Sequence, residues 1–95
     1  MATVVDGDFE WDSDKAAANF DSHGVSFEEA QSAFADPLAV YLDDGAEAGR
    51  MWLIGMSVRV RVLVVVHIER GERDRIISAR PATRTERDLY SEGGK

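Results

Sequence analysis

Nine arginines and two histidines dominate the chemically useful inventory of this 95-residue chain, which has no cysteine. Arg50, Arg59, Arg61 and Arg80 carry side chains that stay protonated at every working pH. They can hold a phosphate or stabilise charge developing on it, but they are poor candidates for bases. Proton transfer falls by residue type to His23 and His67, and Lys15, Ser78 and Tyr90 add further donors. Such groups suit attack on a phosphodiester by a neighbouring hydroxyl, the reaction that the 2′-hydroxyl of RNA permits. One group takes the hydroxyl proton, cations stabilise the crowded phosphate, and an acid protonates the leaving oxygen. A fixed donor contributes on the order of 10²–10³ in rate, and general acid–base help about 10²–10⁴.

Competing chemistries lack their parts. His67-x-Glu69 opens like a zinc deaminase motif, but no Pro-Cys-x-x-Cys follows. The alternating acids Asp6, Asp8, Glu10, Asp12 and Asp14 have no glycine at the sixth position that a calcium loop needs. Gly55-Met-Ser57 lacks the second glycine of a nucleophile elbow, and there is no phosphate loop or dinucleotide fingerprint. The expected site therefore uses neither metal nor cofactor.

Charge is divided unevenly. Residues 1–49 hold 12 acids against one base, Lys15, whereas residues 50–95 hold 10 bases against 6 acids. The net charge of −7 argues against nonspecific coating of nucleic acid, while the C-terminal half can still form a local basic surface. The 44% apolar content and the length predict one globular domain over residues 1–92 with a short tail, 93–95. No apolar run is long enough to span a bilayer. The N-terminus does not read as a secretory signal, and the lack of cysteine fits a cytoplasmic location.

The elements that must position these residues read in the order β-α-α-β-β-β-β-α. Phe9-Glu-Trp11 alternates as a short strand. Ser13 is expected to cap a helix to about Ser22, ended by Gly24. Ser26-x-x-Glu29 opens a second helix, which Asp36-Pro37 stops. Strands are predicted near Leu38–Leu42, Arg50–Ser57, Val60–Ile68 and Asp74–Arg80, and Thr83-x-x-Glu86 opens a C-terminal helix. This predicts an α+β fold, with helices on one side of a largely antiparallel sheet of about five strands. Alternation from Val58 to Ile68 assigns Val58, Val60, Val62, Val64 and Val66 to a core face and Arg59, Arg61, Leu63, Val65 and His67 to the other. Ser78 and Arg80 share a face of the next strand, so pairing about the Gly71 turn is expected to bring Arg61 and Arg80 towards one end of the sheet. Trp11 and Trp52 read as core. The site residues also have plainer readings: His23 can serve the end of its helix, His67 can pack against a helix, Tyr90 can cover core, and Thr83 and Glu86 can act only as caps.

Several ordered motifs are similar to the BrnT family of type II toxins, which share the RelE-like ribonuclease fold. They are Phe9-Glu-Trp-Asp12, Lys15-Ala-x-x-Asn19, His23-Gly-Val-Ser-Phe-Glu-Glu-Ala30, Phe34-Ala-Asp-Pro37, Arg50-x-x-x-Ile-Gly-x-Ser57, Arg61-Val-Leu-Val-Val-Val66, Glu69-Arg-Gly71 and Arg75-Ile-Ile-Ser-Ala-Arg80-x-Ala-Thr83-x-x-Glu86-Arg87. The chain departs from the pattern at Ser22, Gly49, Val60 (a glycine in the family) and Ile68. The resemblance implies a toxin that cleaves cellular RNA and inhibits translation. It also implies a BrnA-like antitoxin, a ribbon-helix-helix protein, that neutralises the toxin and makes the main contacts to promoter DNA. In this reading Arg61, Arg80, His23 and His67 are catalytic, while Lys15, Arg50, Arg59, Ser78 and Tyr90 bind RNA. The alternative is a degenerate, non-catalytic module that binds an antitoxin and assists promoter repression.

Overall fold

The computed structural model describes residues 2–45 and 47–93. Met1, the loop residue Ala46, and Gly94 and Lys95 of the expected tail lie outside them. Six strands form one sheet: β1 (Thr3–Asp6), β2 (Phe9–Asp12), β3 (Val40–Asp43), β4 (Arg50–Met56), β5 (Val62–Arg70) and β6 (Arg73–Pro81). Their spatial order is β1-β2-β6-β5-β4-β3. The β2–β6 pair is parallel and the others are antiparallel. Strand β1 was not expected. It forms a hairpin with β2 around Gly7, whose φ is 59°. Among the described residues, no helix is long and apolar enough to cross a membrane.

Helix α1 (Ser13–His23) is capped by Asp12 rather than by Ser13, since the Asp12 carboxylate accepts the Lys15 amide at 3.0 Å. Gly24 ends it in the left-handed conformation, as expected. Helix α2 (Phe27–Ser32) starts at Ser26 and runs into a 3₁₀ turn, Ala33–Ala35. These two helices cover one sheet face over a core that includes Trp11, Val25, Phe27, Leu53, Leu63, Val65 and Ile76. Helix α3 (Arg84–Ser91) opens with the expected capping box, Thr83 and Glu86. It lies on the opposite face, where Leu89 and Tyr90 pack against Val40, Ile54 and Val64. The helices thus flank the sheet on both sides, not one, and Val62 to Val66 is covered from both directions.

Two local features decide where side chains point. The first is that β5 begins at Val62, not Val58. Residues 57–61 form a turn closed by Val60 N–H to Ser57 C=O at 2.9 Å. Val58 and Val60 are each 76% exposed, so they are not core. The second is a β-bulge between β5 and β6. The pairing Arg70↔Arg73, carried on unbroken, would set Arg80 opposite Leu63. A register shift after Val66/His67 sets it opposite Val64 instead. One extra residue moves every later side chain to the other face.

Candidate active site

Arg61 sits at the entrance to β5 on the α1/α2 face. Its Nε and Nη2 donate to the Glu29 carboxylate at 2.7 and 2.6 Å, and Nη2 also donates to the Gly24 carbonyl at 2.9 Å. Ser57 Oγ donates to the same carboxylate at 2.7 Å. Glu29 is buried, yet the bonds from Arg61 outweigh that burial and hold its carboxyl below the usual range. The group ties the end of α1, helix α2 and the β4–β5 turn together. His23 lies beside it, exposed, as the last residue of α1. Arg59 is exposed in the adjoining turn.

Arg80 points to the α3 face. Its two terminal nitrogens make a bidentate pair with Glu86 at 2.7 and 2.8 Å, and the guanidinium lies 5.7 Å from the centroid of the Trp52 ring. The bonds from Arg80, against the opposing effect of burial and with help from the Thr83 amide, lower the Glu86 carboxyl to about 2. Trp52 and Ser78 are both paired with Val66, and Arg50 with Ile68, so Arg50, Trp52, Ser78 and Arg80 share this face. Arg50 is bound by Glu47 at 2.8 Å, and Arg75 by Glu10 at 2.7 Å. The Tyr90 hydroxyl donates to Asp36 at 2.6 Å, a bond that, with burial, pushes the phenol up to about 12. Tyr90 is therefore no base at neutral pH.

The expected meeting of Arg61 and Arg80 does not form. Both lie towards one end of the sheet, but the bulge turns Arg80 to the other face, and each guanidinium is engaged by its own carboxylate. His67 is on the Arg61 face but six residues along β5, about 20 Å away at strand spacing. It is buried, with Nδ1 2.9 Å from Asp74 and its ring edge-on to Phe34 and Tyr41. Lys15 is exposed near the start of α1, in the layer opposite Arg80. Trp52 is half-buried and packs against the core on the α3 face, as expected of it, but sequence reasoning missed that it also underlies Arg80. The alternation Arg50, Trp52, Ile54 was the available signal. It also missed that Glu29 and Glu86, read as caps, bind the two arginines.

An arginine over a tryptophan, on the same sheet face as a hydroxyl, can bind a phosphate and a base together. A family model described as "Ribonuclease toxin, BrnT, of type II toxin-antitoxin system" matches residues 11–86. This chain belongs to the BrnT family. Among solved structures it is similar to the ribonuclease toxin BrnT of Brucella abortus, with a TM-score of 0.63 and 23% identity over 78% of this chain and 94% of that one. At that identity the likeness establishes the fold. None of the curated proteins compared with the chain matches it. The BrnT match covers Arg50, Arg61, Ser78 and Arg80. The position occupied by Val60 has a φ of 60°, a conformation that favours glycine, the residue that the resemblance leads one to expect there.

Proposed function

We propose that this chain is a metal-free endoribonuclease toxin that cuts cellular RNA through its 2′-hydroxyl, thereby inhibiting translation, and is silenced by a BrnA-like ribbon-helix-helix antitoxin. The observation that carries this reading is the Arg80–Trp52 stack with Ser78 and Arg50 on the same face. Arg80 offers the attacked phosphate two parallel N–H donors. Glu86 now fills both with a geometry that a phosphate can take over. Trp52 and Ser78 supply a surface for the adjoining base and sugar. Arg61 acts here as a strut, and a direct part in the chemistry is assigned to Arg80 alone of the pair. His23 is the better placed of the two histidines for proton transfer because it is exposed, although it flanks Arg61 and not Arg80. Purified protein should cut RNA in EDTA. Arg80→Ala should lower the rate by on the order of 10²-fold or more, and unchanged cleavage by that variant would reject the site.

One observation favours the second reading, a non-catalytic antitoxin-binding module. Arg50, Arg75 and Arg80 are all already paired with carboxylates, and neither histidine shares their face. Growth arrest on induction, reversed by the antitoxin, distinguishes the two. Unimpaired growth at high soluble expression would support the module.

A further inference from the structure

The sheet ends on one side at β3, which pairs only with β4. Asp44 N–H donates to the Arg50 carbonyl at 3.0 Å. Because antiparallel ladders alternate, Leu42 and Val40 also bond to β4, while the backbone groups of Tyr41 and Asp43 point outward. An edge of this kind is a template for another strand. It carries little to discourage pairing beyond its shortness, since residues 36–49 contain no lysine or arginine.

Seven large apolar side chains stand out as exposed among the described residues. Five of them lie on β3, just before it, at the end of β4 or in the β4–β5 turn: Leu38, Tyr41, Met56, Val58 and Val60. Leu38, Met56 and Val58, with Ala35 and Tyr90, line a groove of about 700 Å³. A second depression continues from Leu38 along β3 to Leu42. Contiguous apolar surface next to a free strand edge fits a peptide that adds a strand and seats alternate side chains in pockets. The charge beside it is acidic: residues 36–49 hold Asp36, Asp43, Asp44 and Glu47, of which Glu47 is paired with Arg50. Burial would raise the Asp36 carboxyl, but the hydrogen bonds from Tyr90 and from the Met56 and Leu38 amides outweigh it, so this acid stays charged. Such a border repels RNA phosphates and attracts a cationic segment.

We propose that the β3 edge and the groove beside it bind the antitoxin, which enters as an extended segment of alternating apolar and basic residues and forms a seventh strand. This rests on the toxin–antitoxin reading above and names the surface by which the partner holds the toxin. Neither Arg80 nor Trp52 lines the groove, but its acidic border reaches the stack, since Asp44 accepts the Trp52 indole N–H at 2.8 Å and Glu47 pairs with Arg50. Tyr90 and Glu86 belong to one helix, so a segment seated against Tyr90 also touches the element that carries the partner of Arg80.

The test uses the whole chain and the product of the gene adjacent to its own. Leu38→Lys and Val58→Lys replace exposed side chains and leave the core intact. Each should weaken binding of that product by at least about 30-fold while RNA cleavage is retained, giving a toxin that the antitoxin no longer rescues. Phe20→Lys, at another exposed apolar position on α1, should bind as the parent does. In the complex, the Tyr41 and Asp43 amides should gain protection from hydrogen exchange. Parent-like affinity of both lysine variants, equal damage from Phe20→Lys, or unchanged exchange at the two amides would overturn the proposal. So would a self-association of this chain that the lysine variants abolish, because a second copy would then own the edge. If the parent cuts no RNA, the ribonuclease reading fails, but the binding and exchange measurements still decide the docking surface.

Discussion

At the scale of single residues, the two arginines singled out by chemistry have different fates because of the acids that fold against them. Glu86 has three attachments: Arg80 through two bonds, and the Thr83 amide at 2.8 Å. Its carboxyl falls from 4.5 to about 2 on folding, so the stability it supplies is full above pH 4.5 and is lost as the pH drops towards 2. Glu86→Gln keeps a capping side chain but not the charge. Acid unfolding of that variant should show a weaker pH dependence in this window, and an unaltered curve would show that the pair adds nothing. Val60 gives a second expectation. It holds a left-handed conformation while its side chain is 76% exposed, so it bears strain without packing in return. Val60→Gly should be neutral to about 1 kcal/mol stabilising, after the greater chain entropy of glycine is subtracted. Thermal unfolding measures this.

At the scale of elements, the helices were legible because their signals are local. Ser26 and Thr83 cap through the amides three residues on, and Gly24 ends α1 in its own conformation. The layer each helix joins was not legible, because that depends on residues far away. Asn19 illustrates the point. Its side chain donates to Val25 and Ala79 carbonyls at 2.9 and 2.8 Å and accepts the Ala79 amide at 3.1 Å, pinning α1 to the C-terminal part of β6. In the sequence it is only a polar residue on an ordinary helix. Asn19→Ala strands these buried backbone groups and should cost about 2–4 kcal/mol in denaturant unfolding. A loss below about 1 kcal/mol would mean that water replaces the amide. The hairpin strand β1 was missed for a related reason, since Thr3–Asp6 is short and mostly exposed and becomes a strand only by pairing with β2.

At the scale of the whole molecule, the acidic excess and the arginine-lined sheet face are compatible because the cations that share the Arg80 face are few. If three of them, Arg50, Arg75 and Arg80, meet phosphates of single-stranded RNA, the slope of log K against log salt should be about −2, and Arg80→Ala should flatten it by about 0.7. A slope near zero would remove this face from RNA binding. The order of most elements, their caps and the stock of groups able to act on a phosphodiester could be read from the chain alone, because each depends on residue type and on neighbours within a few positions. The faces of Arg61 and Arg80 could not. One extra residue in β6, Ile77, opposite the step from Val66 to His67 reverses the face of everything after it in β6, and nothing short-range announces a bulge. Folding also decided which charges stay available, since Glu29 and Glu86 reach arginines that lie elsewhere in the chain. A guanidinium on the page is a potential clamp, and only the packed molecule shows what it already holds.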